Sequence, residues 1–108
     1  MTHGELVREI LKKISQGSLC RAWLNNTGTL KSGDRFIRFG LVGSADILGL
    51  LHNGIFLAIE VKVGRDKQSE AQKNFEAMVC RFNGVYILAR SVEDACEGID
   101  RALKDKRI

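Results

Sequence analysis

The stretch that most limits how this chain can fold runs from Ser44 to Val63, SADILGLLHNGIFLAIEVKV, in which two apolar runs are joined by His52-Asn53-Gly54. Such runs around an Asn-Gly turn signal read as a β-hairpin. Ile55 to Val63 offers almost no polar residue on either face, the pattern of a strand covered on both sides. Three residues of the whole stretch do not belong there on hydrophobic grounds: Asp46 near the start of the first run, and Glu60 and Lys62 near the end of the second. Side chains two apart share a face of a strand, so Glu60 and Lys62 point the same way as Phe56 and Ala58. One reading is an edge strand with a solvated Glu–Lys pair. The other is a buried acid and amine, which occur together only when paired with each other or bound to a metal.

Whether Asp46 joins them depends on the turn. A plain two-residue turn at Asn53-Gly54 pairs His52 with Ile55 and places Asp46 opposite Val61, facing away from Glu60. A three-residue loop, with Gly54 left-handed and forming a bulge, pairs Leu51 with Ile55 and sets Asp46 opposite Glu60. A bulge elsewhere, for example at Gly49, restores the same parity. If the acids act together, an odd loop or one bulge is expected between them.

Asp46, thirteen intervening residues and then Glu60-Val61-Lys62 resemble the D…E-x-K core of the PD-(D/E)XK nuclease superfamily. Within it the chain is similar to the virus-type replication-repair nuclease (VRR-NUC) group in three blocks: Gly43 to Gly49, Phe56 to Lys62, and Ser69 to Phe75. Ala45 stands where the superfamily name implies proline; small residues are common there in this group. The resemblance implies one restriction-endonuclease-like α/β domain over residues 1–108, a mixed central sheet flanked by helices in the order α-β-β-β-α-β-α. It implies a magnesium-dependent DNA endonuclease, with manganese as a substitute, acting in replication and repair on branched or junction DNA such as Holliday junctions. Asp46, Glu60 and the backbone carbonyl of Val61 would hold the metal, and Lys62 would sit beside the attacking water. Gln72, or second Gln68, matches a glutamine that lines the active site in this group.

A chain of 108 residues with 44% apolar content supports one domain with one core. No apolar run approaches the roughly 20 residues that span a bilayer. The first residues lack a signal-peptide pattern, so the expectation is no membrane and an intracellular place, in a bacterium or virus-infected host cell. Cys20, Cys80 and Cys96 are too scattered for a zinc site or disulfide framework and read as core or half-buried thiols. A net charge of +4 favours contact with a polyanion.

Thr2 to about Gln16 reads as an amphipathic helix with Leu6, Val7, Ile10, Leu11 and Ile14 inward. Thr2 and Glu5 fit a capping box. Glu5 also matches a first-helix glutamate that reaches the metal in the VRR-NUC group, so two roles compete for one carboxylate. Leu19 to Leu24 reads as a strand, Asn25 to Gly28 resembles a polar segment of the same group, and Lys31 to Asp34 reads as loop. Arg35 to Phe39 alternates basic and aromatic residues; it suits either a nucleic-acid face or an edge strand with solvated arginines. Arg35, Arg38, Arg65, Lys67 and Gln68 are the candidate DNA contacts.

A second helix is expected from Gln68 or Ser69 to Phe82, its core stripe Ala71, Phe75, Met78, Val79 and Phe82. Val85 to Ala89 is wholly apolar and reads as a strand interior to the sheet. Ser91 caps a last helix to about Lys104, followed by a basic tail to Arg107. Three functions are open at this level: the nuclease, a non-catalytic DNA-binding module accessory to a helicase or other repair protein, and an interaction domain whose Glu60 and Lys62 are only a salt bridge. Because one small domain holds one site, cutting both strands of a junction calls for a homodimer.

Overall fold

The capping box at Thr2 starts the first helix: its hydroxyl accepts from the Glu5 amide, and the Glu5 carboxylate accepts from the Thr2 amide. In the computed structural model, which describes residues 1–26 and 28–105 and gives the backbone alone for 28–32 and 36–39, this helix α1 spans His3–Ile14. Strand β1 (Cys20–Leu24) follows, then β2 (Gly28–Ser32), β3 (Arg35–Phe39), β4 (Ile47–Leu51) and β5 (Phe56–Val61). Helix α2 (Glu70–Arg81), strand β6 (Val85–Ala89) and helix α3 (Val92–Lys104) complete the chain. The tail residues Lys106 and Arg107 lie outside the described residues, as does Thr27.

The molecule is an α/β fold with a four-stranded mixed sheet in the order β1-β4-β5-β6. Both β1/β4 and β4/β5 are antiparallel, while β5/β6 is parallel, with α2 as the crossover. Alternation along the strands divides the core. Cys20, Ala22, Ile47, Leu51, Leu57, Ile59, Val61, Val85, Ile87 and Ala89 pack against α1 and α3. Ala58, with Ala45, Leu48 and Tyr86, packs against Phe75 and Val79 of α2 on the opposite face.

Five strands precede α2 instead of the expected three. Lys31 and Ser32, expected in a loop, belong to β2, which pairs with β3 around Gly33-Asp34 as a separate two-stranded sheet. Ser32 pairs with Arg35, so only two residues are left for the turn.

β6 is also corrected: among the described residues it pairs with β5 alone and forms one edge of the sheet, not an interior strand. Its apolar character comes from being covered on both faces, by α2 and α3, which is independent of how many strands flank it. In α2 the expected stripe is only half realised. Phe75 and Val79 are buried, whereas Met78 is exposed and Phe82, the C-cap, is 77% exposed. The helix has reached its end at Phe82, and the chain turns back through Asn83 and Gly84 into β6. Cys80 is exposed rather than half-buried, and all three cysteines are free.

Candidate active site

The hairpin loop has three residues. The Leu51 amide donates to the Ile55 carbonyl at 2.9 Å, the Gly54 amide to the Leu51 carbonyl at 2.8 Å, and Gly54 takes φ +88. That conformation carries little penalty only for a residue without Cβ. Counting from Leu50↔Phe56 to Ile47↔Ile59, the next pair is Asp46 and Glu60. The parity makes it a non-hydrogen-bonded pair, the geometry in which facing side chains approach most closely. Both acids therefore share the sheet face that carries Leu48, Ala58 and α2.

Beyond Ile47 the ladder stops. The regular partner of Val61 would be Ala45, but the Asn25 side chain donates to the Ala45 carbonyl (2.9 Å) and to the Ser44 hydroxyl, drawing that segment toward β1. Gly43, at φ +81, lets the same segment run against the first turn of α2, where a Cβ would meet the Ala71 carbonyl oxygen at 2.3 Å. Val61 is left with a free peptide edge. Its N–H donates to Asp46 Oδ2 at 2.8 Å, and its carbonyl oxygen lies 3.0 Å from His3 Nε2, which is also 3.3 Å from Asp46 Oδ2.

Among the described residues Glu60 is the one buried charged side chain, at 2% exposure. Lys62 Nζ lies 3.7 Å from its Oε2, and Gln72 Nε2 donates to the same oxygen at 3.1 Å. Gln72 is held in place by a capping box: its Oε1 accepts from the Ser69 amide at 2.9 Å while the Ser69 hydroxyl accepts from the Gln72 amide. Glu60 Oε1 is buried and meets no donor. Burial first, and then the neighbouring charge of Asp46, push the Glu60 carboxyl up to about 8 against the pull of Lys62.

The structure brings Asp46, Glu60, Val61, Lys62 and Gln72 together. Glu5 stays outside: it is exposed, caps α1, and the hydrogen bonds from Thr2 hold its carboxyl below the usual range. Of the two roles that compete for this carboxylate, the structure shows the cap. Gln68 also points elsewhere, donating to Tyr86 Oη at 3.1 Å and Glu76 Oε1 at 3.0 Å. The Tyr86 hydroxyl is pushed up to about 12 by burial, opposed by that Gln68 bond. Arg35, Arg65 and Lys67 are exposed, the latter two on the segment that follows Lys62; the Arg38 side chain lies outside the described residues. His3 was missed. A polar residue in the first turn of a helix carries no local signal that its ring reaches residues 43 and 58 positions away.

Among the described residues, no three His, Cys, Asp or Glu side chains form a group that could hold a metal by themselves. The donors that do converge are two carboxylates and one backbone carbonyl, all hard oxygens. Such a set suits magnesium, which is bound through one or two carboxylates and keeps several waters. The unpartnered Oε1 and the raised Glu60 fit the same group, because a nearby cation would satisfy the oxygen and favour the ionised carboxylate. No helix among the described residues is long and apolar enough to cross a membrane. No family model matches the chain and no curated protein matches its sequence, so the reading of this site stands on its own geometry.

Proposed function

We propose that the chain is a metal-dependent DNA endonuclease with a PD-(D/E)XK core, similar to the virus-type replication-repair nucleases. It hydrolyses phosphodiester bonds of branched or junction DNA inside a bacterial or virus-infected cell. The observation that carries the reading is a buried Glu60 on the same sheet face as Asp46, with Lys62 Nζ 3.7 Å and Gln72 Nε2 3.1 Å from its Oε2. A salt bridge alone needs neither a second carboxylate nor an unpartnered Oε1.

Asp46, Glu60 and the Val61 carbonyl would hold magnesium, or manganese in its place, and the His3 ring must move aside or share that edge. When bound, the ion supplies charge neutralisation at the phosphate and lowers the pKa of water. Lys62, at the mouth of the site, stabilises charge that builds on a non-bridging phosphate oxygen. Gln72 fixes the rotamer of Glu60 by bonding one oxygen and leaving the other free. Two copies of the chain, each with one site, cut the two strands of a junction.

The test is nicking of supercoiled plasmid and of a four-way junction, with magnesium or with chelator. Wild type nicks only with the metal; Asp46→Asn and Glu60→Gln do not nick but still bind DNA. Normal cutting by Glu60→Gln in magnesium would refute the assignment. Light scattering tests the dimer: a monomer at high concentration that still cuts both strands together removes that part.

A further inference from the structure

Helix α2 covers β5, β6 and Leu48 of β4 on the face that carries the acids, while Arg21 and Trp23 of β1 stay exposed. Trp23 is 46% exposed, although it lies within a regular strand whose alternate residues Cys20 and Ala22 are buried on the other side. Register fixes its place: Trp23 pairs with Leu48, and the Asn25 amide donates to the Asp46 carbonyl, so Asn25 stands opposite Asp46 and Trp23 is its diagonal neighbour. Diagonal neighbours on one sheet face lie roughly 7–8 Å apart, within reach of a large aromatic side chain. Arg21, two residues along β1, is exposed on the same face.

We infer that Trp23 is a stacking platform for an unpaired base next to the scissile phosphate, with Arg21 beside it for the adjoining backbone phosphate. The inference rests on the nuclease reading and names the substrate feature that the site selects. An exposed indole one pleat from paired carboxylates matches the separation between a phosphate and a neighbouring base. A base within a strand can lie flat on the ring only when it has left the stack of its neighbours, which unpaired nucleotides do most readily, so the preferred DNA carries unpaired nucleotides at the cut. A positive side chain beside the ring complements a strand of phosphates and would be wasted against an apolar partner. Leu50, which pairs with Arg21 and is diagonal to Trp23 on the side away from Asp46, and Phe56, which pairs with Leu50, are also exposed and continue this face away from the acids.

Trp23 is the only tryptophan, so intrinsic emission reports on this position alone. The experiment titrates the full chain, in chelator, with a labelled single strand, a duplex carrying a single-stranded tail, and a blunt duplex. Label anisotropy measures binding and tryptophan emission measures stacking. The single strand and the tailed duplex are expected to quench the emission, and the blunt duplex to bind without quenching. Trp23→Ala should weaken the first two by about tenfold and leave the third unchanged, with Trp23→Phe retaining most of the affinity.

Binding and metal-dependent cutting without quenching, together with unchanged affinity in Trp23→Ala, would overturn the stacking site alone. Quenching without metal-dependent cutting would support the stacking site and overturn the nuclease. Absence of binding to all three DNAs would overturn both. Emission that changes with protein concentration and not with DNA would show that a second copy covers this face, which also overturns the inference.

Discussion

Ile59 and Glu60 are neighbours on β5, both nearly inaccessible at 0% and 2%, and they face opposite sides of the sheet. On the Ile59 side, α1 and α3 close an apolar core in which every buried residue is satisfied by contact. On the Glu60 side, α2 leaves β1 exposed, and the face carries a buried acid, a cation at 3.7 Å and an exposed indole. The two faces divide the work: one holds the fold and the other spends stability to keep an ionisable group where water is scarce. Consecutive residues can therefore be equally buried for unlike reasons.

The sharpest way to break that contrast is to mutate both neighbours. Glu60→Gln should lower cleavage by about 10³-fold or more without lowering stability, whereas Ile59→Ala should cost about 2–5 kcal/mol of stability and leave the chemistry of the folded fraction intact. Plasmid nicking and urea unfolding measure the two. Similar stability losses for both would show that the faces are not distinct.

Acidity sharpens it further. Burial raises Glu60 from 4.5 to about 8, so across that window the folded chain keeps a proton that the unfolded chain has released. Stability from this group is full below about 4.5 and is lost as pH rises through about 8, with a slope approaching 1.4 kcal/mol per pH unit, roughly, between them. Thermal unfolding of metal-free protein from pH 5 to 9 should show this fall. Glu60→Gln should flatten it, and millimolar magnesium should offset it at the alkaline end. A wild-type profile as flat as the variant's would mean that Glu60 ionises normally.

Gln72 joins both halves of the contrast, since its carbonyl caps α2 and its amide holds Glu60. Gln72→Ala should cost about 1 kcal/mol of stability and reduce kcat more than it raises KM. Gln72→Glu keeps the cap but sets a carboxylate where the amide donated to Glu60, so it should lower both stability and activity. Equal activity in Gln72→Glu and wild type would make Gln72 a cap only. The smallest effect belongs to Glu5→Gln, which preserves the capping box and should change stability by about a few tenths of a kcal/mol and cleavage not at all. Loss of cleavage there would bring Glu5 back into the site.

The central hairpin was legible because its pattern is local: alternation and an Asn-Gly turn need only neighbouring residues, while the parity between Asp46 and Glu60 waited on the loop, which has three residues. The helix caps at Thr2 and Ser91 were legible for the same reason, whereas the Ser69–Gln72 capping box was not read from the sequence. The edge position of β6 was not, because apolar residues on both faces report covering helices and say nothing about flanking strands. The β2–β3 pairing escaped because Lys31 and Ser32 carry no strand signal of their own. Met78 and Phe82 misled because helical periodicity marks a face and cannot tell where that face runs out of sheet.

By itself the sequence determined which residues could do chemistry and which face of β5 they would share, since side-chain alternation is a property of the extended backbone. Tertiary structure decided the rest. The choice between two roles for Glu5 turned on where α1 begins: the first turn reaches the site through His3, while the Glu5 carboxylate turns back to cap the helix at Thr2. His3 joined Asp46 and Val61 because the β4–β5 ladder stops at Ile47 and leaves a peptide edge that α1 reaches. Which part of the acid face stays open to a ligand depended on how far α2 extends over the sheet, a distance set by packing between elements and not by any one of them.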